Sequence, residues 1–362
     1  MTLEAPVFRI EMLPAAHGDA LLVEYGDSVP PRRILIDGGT PGAYRAIAER
    51  LRELEAAEGP LRFELLVITH IDDDHIGGVL ALLEKQEIDV RFGDVWFNGY
   101  GHLKDENIED FGPVQGERLT TVLRKRRTPW NQLVDRRSLR VFDDRPLPEV
   151  ELEGGMKLTL LSPDTDKLDK LEKVWAKVCR EAGLDPDEET DSGYITDDPE
   201  IEPFGPIDMD ELAAIPFHED KAEANGSSIA LLAEHAGKRV LFAADAHPSR
   251  LIRSIDKLAG AGGRLELDVC KLSHHGSDHN TSAEVIDRLD CGRFLVSTSG
   301  ARFRHPHRAA MARVIRAGTP GKELIFNYRS AYTEIWNDAD LQEAERYSTV
   351  FPESGAGIVV EV

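Results

Sequence analysis

Residues 65–78, LLVITHIDDDHIGG, constrain the fold more than any other stretch of this chain. An apolar run typical of a fully buried strand ends at Thr69 and His70. Three carboxylates, a second histidine and a Gly-Gly pair follow within eight residues. Because loops at the ends of buried strands are where folds place their sites, this segment predicts a polar site at the edge of a sheet.

The three consecutive aspartates stand between two histidines. Carboxylates packed this closely stay ionised together only if cations neutralise them, and a pair of metal ions does so directly. The alternative is that Asp72 or Asp73 caps a helix that begins near His75. A cap explains one carboxylate and leaves the others, with both histidines, unexplained. We therefore expect metal ligands at four positions, which are His70, Asp72, Asp74 and His75.

Other predicted strands end in the same residue types. The segments LIDGG, LFAADA, CKLSHHGS and FLVSTSGARFRHPH each pass from an apolar run to aspartate or histidine. Singly, each is explained by a turn residue, a helix cap or a surface loop. Their recurrence makes a shared site more specific than any one of them. The residues concerned are Asp37, Asp245, His274, His275, His305 and His307.

Charge limits the partners of this chain. Of its 362 residues, 41% are hydrophobic and 30% charged, with a formal net charge of -23, which opposes nonspecific binding to nucleic acid. A polyanionic substrate therefore requires metal ions or a local basic patch. Residues 123–145 hold eight arginines and lysines around Trp130. This segment is either a solvated surface or a phosphate track with a stacking aromatic, with Arg126 and Arg127 as candidate contacts.

The sequence also predicts the compartment. No apolar run reaches the ~18 residues of a membrane helix, and the first residues, MTLEAPVFRIEMLP, lack the pattern of a secretory signal. Three cysteines, Cys179, Cys270 and Cys291, show no CxxC spacing. We therefore expect a cytoplasmic protein with no membrane association and no disulfide framework.

Strand and helix patterns alternate in the first part of the chain and resume after about residue 222. The segment between, about 100–222, includes the basic stretch 123–145 and an acidic, proline-bearing stretch, 164–222. We find no internal repeat or long linker. The expectation is one domain over residues 1–362, with a helical and acidic insertion at about 100–222.

On these residues the chain resembles the metallo-β-lactamase fold superfamily, whose metal motif is HxHxDH. Within it, the sequence is most similar to the nuclease-like C-terminal domain of the DNA-uptake channel protein ComEC, which also has aspartate at the second histidine position. The shared landmarks run in order from about residue 8 to residue 307: HGDA, LIDGG, THIDDDHIGG, NGSS, LFAADA, HHGS and HPH. The chain shows none of the channel's membrane helices, so we expect a free-standing version.

The resemblance implies an α/β fold, an αββα four-layer sandwich with metals at the sheet edges. It implies that His70 and Asp72 hold one ion and that Asp245 bridges to a second. The second ion would be held by Asp74, His75 and either His274 or His275. The positions implied to orient ligands are Asp37, His275, Asn225 and Ser228.

One departure from the superfamily pattern bears on the metal. The middle histidine, which falls between the Asp-His pair and the bridging aspartate, has no convincing counterpart, and Asp72 replaces another histidine. A site richer in oxygen favours harder ions. We therefore expect two divalent ions, Zn²⁺ or Mn²⁺, with Mn²⁺ at least as effective as Zn²⁺.

The leading prediction is a metal-dependent phosphodiesterase or nuclease acting on DNA or RNA. Asp74 would orient the nucleophile, and His305 or His307 would protonate the leaving group or hold a phosphate. His279 and Asn280 would stabilise charge in the transition state. One alternative is a hydrolase of a small ester, thioester or cyclic nucleotide, which the acidic composition favours. Another is a non-catalytic module that binds a partner protein, whose identity the sequence leaves unknown.

Overall fold

The computed structural model describes residues 6–103, 114–182, 207–260 and 262–362, without the side chains of 114 and 176–182. The strands of these ranges, β1 to β16 in chain order, are Val7–Met12, Leu21–Gly26, Arg32–Ile36, Leu61–Val67, Val90–Trp96, Glu149–Leu152, Met156–Ser162, Ala230–His235, Lys238–Phe242, Leu265–Leu267, Val269–Lys271, Leu289–Cys291, Arg293–Val296, Lys322–Phe326, Tyr347–Val350 and Ile358–Glu361. The α-helices, α1 to α11, are Tyr44–Glu58, Asp73–Lys85, Tyr100–Leu103, Val114–Arg126, Thr165–Ala182, Met209–Ala214, Glu223–Gly226, Pro248–Ala259, Ala283–Asp287, Arg308–Arg316 and Ala339–Glu345.

Two mixed sheets carry most of these strands. The first has six strands in the order β16-β1-β2-β3-β4-β5, and the second has eight in the order β15-β14-β13-β11-β9-β8-β7-β6. Strands β10 and β12 form a separate parallel pair. The neighbours β3, β4 and β5 are parallel, and so are β9, β11 and β13. Parallel neighbours end at the same edge of a sheet, so each sheet gathers several strand ends at one place.

Side-chain alternation divides the interior into three cores. Leu65 of β4 and Leu231 of β8 face the core between the two sheets. Their chain neighbours point the other way, Leu66 into the core beneath α1 and α2, and Leu232 into the core beneath α8 and α10. Successive residues of a strand face opposite sides of its sheet, so each sheet is covered by helices on its outer face. This arrangement confirms the predicted αββα four-layer sandwich.

The segment expected as an insertion, about 100–222, contributes strands to the second sheet and helices to the outer face of the first sheet. Strands β6 and β7 lie within it and form the edge of the second sheet. Helices α4 and α5 cover the outer face of the first sheet through Leu119, Leu123 and Leu168. Most of the acidic stretch, residues 183–206, lies outside the described residues.

The structure bears on membrane helices and on the cysteines. Within the described ranges, no helix has the length and apolar character that crossing a bilayer requires. Cys270 and Cys291 are free and buried.

Candidate metal centre

Asp72 occupies the N-cap position of α2, yet its side chain makes no capping hydrogen bond. Its Oδ2 atom lies instead 3.5 Å from Nε2 of His70, the residue that follows β4. Asp73 is exposed to solvent, whereas Asp74 and His75 turn inward in the first turn of the helix. Capping therefore does not account for Asp72, whose carboxylate faces the histidine cluster.

The rings of four histidines converge on one carboxylate oxygen, Oδ2 of Asp245, which follows β9. The Nε2 atom of His75 lies 3.3 Å from it, and that of His274 lies 3.6 Å away. The Nε2 atoms of His275 and His70 lie 3.8 and 3.9 Å away. Because β9 and β11 are parallel, Asp245 and the two histidines after β11 leave the same sheet edge and face the loop after β4. This places Asp245 where an aspartate can bridge two ions.

Two rings of the cluster are oriented by Asp37 and Thr69. The Nδ1 atom of His75 donates to Oδ2 of Asp37 at 2.8 Å. Asp37 also accepts from the backbone N–H and the hydroxyl of Thr69 at 2.8 and 2.7 Å. That hydroxyl in turn lies 3.0 Å from Nδ1 of His70, from which it can accept. Both histidines therefore present Nε2 to the cluster, and Asp37 holds the ring of His75 through its other nitrogen.

The histidines after β11 are held in the same way. His275 donates from Nδ1 to the carbonyl of Ser297 at 2.9 Å. His274 donates from Nδ1 to Oδ1 of Asn280 at 2.8 Å, and the amide of Asn280 donates to the carbonyl of Asp245 at 3.1 Å. These partners assign the Nδ1–H tautomer to both rings. All four rings thus turn Nε2 toward Asp245.

The inward-facing atoms of the cluster lack hydrogen-bond partners. Nε2 of His70, His75 and His275 and Oδ1 of Asp245 are buried and make no hydrogen bond with any described residue. A buried polar atom without a partner is costly. Bare imidazole nitrogens beside carboxylates are the donors that Zn²⁺ and Mn²⁺ bind, so these residues fit a metal centre.

The geometry separates the roles of the two adjacent histidines. Asp74, His75 and His275 form one group whose ligand atoms lie within 4.8 Å of one another, and His70, His75 and Asp245 form another. Nε2 of His275 lies 3.6 Å from Oδ2 of Asp74. His274 contacts Asp245 but belongs to neither group. Of the two alternatives that the sequence left open for the second ion, the structure thus groups His275 with Asp74 and His75.

Charges within the cluster shift one another's pKa. Burial alone would raise the pKa of Asp74 and Asp245, but nearby imidazoles, above all that of His75, hold both well below their ordinary value. Burial alone would lower the pKa of His275, yet the carboxylates of Asp19 and Asp245 raise it to about 9. The pKa of His75 is raised in the same way by Asp245 and Asp37. The carboxylates thus require cations, which are protons on the rings when no metal is bound.

A buried ion pair between Asp19 and Lys271 lies next to His275 of the cluster. Asp19 lies with Oδ1 3.4 Å from Nδ1 of His275, and its Oδ2 accepts from Lys271 Nζ at 2.7 Å. Both side chains are almost completely buried. Asp19 also forms a third group with Asp245 and His275 whose ligand atoms lie within 4.8 Å of one another. Because Lys271 already neutralises Asp19, we assign Asp19 to orienting His275 rather than to binding metal. A lysine inside the apolar strand VCKL was the signal for this pair that sequence reasoning passed over.

A second carboxylate that sequence reasoning missed is Asp220. Its Oδ2 accepts from Asn225 at 2.6 Å and from Asn280 at 3.2 Å. It also lies 3.8 Å from Nδ1 of His274. Asp220 thus connects Asn225 and Asn280 to His274. The buried hydroxyl of Ser228 has no partner among the described residues. Nothing in the surrounding HEDKAEANG distinguishes Asp220 from an ordinary surface acid.

The two histidines of the HPH segment differ. His305 is buried, and its ring contacts those of His274 and His275 with centroids 5.2 and 6.1 Å apart. Burial, reinforced by neighbouring imidazoles, lowers the pKa of His305 well below its ordinary value, so its ring is neutral. His307 pairs through Nδ1 with Asp278 at 2.8 Å. His305 therefore borders the cluster, whereas His307 ties its loop to the HHGSD turn.

The structure places Arg126 and Arg127 of the basic segment away from the cluster. Arg126 donates to the carbonyl of Leu83 at 2.7 Å, near the end of α2 opposite Asp74 and about 13 Å along the helix axis. Arg127 is the next residue and is exposed. The ring of Trp130 packs against Phe97 and His102, and its N–H donates to a backbone carbonyl. Its ring thus has structural contacts of its own.

His279, the remaining candidate, also lies apart from the four rings. Its Nδ1 donates to the carbonyl of His218 at 2.8 Å, and its Nε2 lies 3.6 Å from Asp278. Among the described residues it makes no ion-pair contact to Asp74 or Asp245.

Comparison with known proteins adds a family and a fold. The family model described as "Metallo-beta-lactamase superfamily" matches residues 18–300. Similar solved structures include CmlA, a diiron β-hydroxylase from Streptomyces venezuelae, with 14% identity and a TM-score of 0.41 over 100% of this chain and 55% of CmlA. A diphosphatase from the PhnP family has 11% identity and a TM-score of 0.36 over 99% of both chains. No curated protein matches the sequence. The chain spans about half the length of CmlA, and neither structural likeness carries an argument about activity.

Proposed function

Because the chain belongs to the metallo-beta-lactamase superfamily, we propose that it is a metal-dependent phosphodiesterase acting on DNA or RNA through a centre of two divalent ions. The fold fits a metallohydrolase. The observation that carries the metal dependence is the convergence of four Nε2 atoms on Oδ2 of Asp245. Similarity to the ComEC nuclease-like domain remains a prediction and is part of this proposal.

The residues divide between two ions. His70, Asp72 and Asp245 would hold the first, and Asp74, His75, His275 and Asp245 the second, with His274 beside Asp245 as a further candidate ligand. Bound divalent ions would supply a nucleophile near neutral pH and stabilise negative charge on a phosphoryl group. Asp74, whose side chain is 15% exposed, is held ionised by the nearby imidazoles, so it can orient the attacking water. His305, neutral and buried, is better suited to hold a ligand than to donate a proton.

The carboxylate at position 72 supports a preference for harder ions. Its side chain is 38% exposed and lies beside His70, where an all-histidine site would place a nitrogen. We expect stripped protein to regain activity with Mn²⁺ at least as well as with Zn²⁺. Recovery with Zn²⁺ alone would contradict this role of Asp72.

The substrate class separates the nuclease from its alternatives. Labelled single- and double-stranded DNA, RNA and bis-p-nitrophenyl phosphate should be incubated with the protein in Mn²⁺ or EDTA. Cleavage of a nucleic acid in Mn²⁺ but not in EDTA is the expected result. Cleavage of the small ester alone would favour the small-substrate hydrolase, which the net charge of -23 supports. Tight metal binding with no turnover would favour the non-catalytic module.

A further inference from the structure

A basic and aromatic surface stands at the mouth of the metal centre, formed by His17, Arg302, Phe303 and Arg304, and is called here the mouth wall. Residues 291–322 contain six arginines and one lysine but no aspartate or glutamate, in a chain whose net charge is -23. This run therefore opposes the overall charge. All four residues of the mouth wall lie outside residues 18–300, the range matched by the family model.

Ring contacts connect the mouth wall to the metal centre. The Phe303 ring lies 5.9 Å from that of His305, whose ring is in turn 6.1 Å from that of His275. His17 meets the edge of Phe303 at 5.4 Å. The imidazole of His17 also interacts electrostatically with Asp74, His275 and Arg302. A group bound on Phe303 would therefore adjoin a phosphate at the metals.

Backbone hydrogen bonds hold the loops of the mouth wall in place. The N–H of Ser299 donates to the carbonyl of Ala16 at 2.7 Å, which joins the two loops. The N–H of Arg304 donates to the carbonyl of Gly300 at 3.0 Å and closes the turn. Gly300 has a positive φ of 74°, and a Cβ there would lie 2.4 Å from the ring of Tyr332. The turn thus depends on glycine and presents Arg302, Phe303 and Arg304 to solvent in one arrangement.

The exposure of Phe303 is unusual for this protein. It is the only phenylalanine, tyrosine or tryptophan among the exposed large hydrophobic residues of the described chain, at 38%. The guanidinium of Arg302 lies over its ring at 5.1 Å from the centroid. Aromatic rings and arginine planes are surfaces on which nucleobases stack, and arginine also binds phosphate.

We propose that the mouth wall binds a nucleotide unit of the substrate, with the base against Phe303 and a phosphate beside Arg302. The inference rests on the proposed phosphodiesterase function and names the part of the substrate that is recognised outside the metals. It replaces the remote Arg126 segment as the source of local positive charge.

Ligand binding tests the mouth wall without relying on turnover. Uridine 5′-monophosphate and ribose 5-phosphate share a sugar phosphate and differ by the base. Calorimetry on the Mn²⁺-loaded protein should show the nucleotide binding about tenfold more tightly, the size that stacking on an aromatic ring provides. Phe303→Ala should remove this difference, and Phe303→Trp should restore it. Arg302→Ala should weaken both ligands alike.

The control is Arg91→Ala, an exposed arginine near the start of β5, at the opposite end of the sheet from the metals, which should leave both affinities unchanged. Equal binding of the two ligands by wild-type protein, or an unchanged difference in Phe303→Ala, would overturn the proposal. Turnover is measured separately, so absence of phosphodiester cleavage with the Phe303-dependent difference intact would refute the proposed function alone.

Discussion

A histidine binds metal through one nitrogen, so the partner of its other nitrogen decides where the ring points. In this protein those partners are a carboxylate, a hydroxyl, an amide oxygen and a backbone carbonyl, each joined to Nδ1. Asp37 serves two rings at once, directly for His75 and through Thr69 for His70. The arrangement of the candidate ligands thus depends on residues outside the cluster.

Replacement of Asp37 tests this dependence. Asp37→Ala frees the Nδ1 atom of His75 and the hydroxyl of Thr69, so both rings can turn. We expect apparent Mn²⁺ affinity to fall about 10- to 100-fold, measured by competition with a chelator. Asp27→Ala, an exposed aspartate in the turn between β2 and β3, is the matched control and should change nothing. An Asp37→Ala protein that binds Mn²⁺ like wild type would show that the rings are held in some other way.

The pKa shifts predict how metal binding responds to pH. In the metal-free protein the pKa of His275 is raised to about 9, and that of His75 is also raised. Below about pH 9 a metal must displace a proton from these rings, so affinity increases as pH rises. Each proton released gives about tenfold per pH unit. Calorimetric Mn²⁺ titrations between about pH 6 and 8 should show this slope, and a flat profile would contradict protonated rings in the metal-free state.

At the scale of elements, helix α2 carries Asp74 and His75, and two other backbone segments pass very close to it. A Cβ on Gly18 would lie 1.6 Å from the carbonyl oxygen of Asp74, and one on Gly78 would lie 2.0 Å from that of Gly38. The backbone N–H of Asp19 donates to the Asp74 carbonyl at 3.3 Å. Only glycine permits this approach, which explains the glycines of HGDA and of HIGG in the sequence.

Gly18→Ala should therefore disturb both packing and metal binding. Because the clash is with backbone, α2 must move, and we expect a loss of about 1–3 kcal/mol in the free energy of unfolding together with weaker Mn²⁺ affinity. Urea unfolding and chelator competition measure the two effects. Gly42→Ala, where a Cβ would come no closer than 3.8 Å to its nearest neighbour, is the control. Equal stability of both variants would mean that the contact at Gly18 relaxes freely.

Much of this layout could be predicted from local patterns. Apolar strands that end in Asp37, His70, Asp245 and His274 predicted a site at the edge of a sheet. The period-2 alternation that marks strands is also visible in the sequence. Local patterns do not show which distant segments meet. Asp220 sits in an unremarkable acidic stretch, and Lys271 is paired with a residue 252 positions away. The same limit explains why Arg126 and Arg127 seemed suited to substrate, since only the fold places them at the far end of α2.

At the scale of the whole molecule, the net charge of -23 opposes a polyanion everywhere except near local basic groups. The separation between Arg126 and the metal centre matters for this balance. About 13 Å of helix divides them, whereas electrostatic effects are screened beyond ~8 Å at physiological salt. The fold therefore isolates the two regions from each other under those conditions.

Charge reversal at Arg126 and Arg127 tests this isolation. At 0.15 M salt the double variant Arg126→Glu, Arg127→Glu should keep kcat/KM on single-stranded DNA within about twofold of wild type. At 0.01 M salt the screening length is ~30 Å, so the added repulsion should lower kcat/KM. A large loss on DNA at 0.15 M with an unchanged rate on bis-p-nitrophenyl phosphate would instead establish a nucleic-acid track along residues 123–145.

Titration of metal-stripped protein with Mn²⁺, followed by hydrolysis of bis-p-nitrophenyl phosphate, tests the two-metal phosphodiesterase most directly. We predict no turnover in EDTA, a rate that reaches its plateau at two equivalents of Mn²⁺, and no recovery in Asp74→Ala, whose folding is checked by circular dichroism. Full turnover by the stripped protein, or by folded Asp74→Ala, would contradict a metal-dependent site built on the His70 to His75 segment.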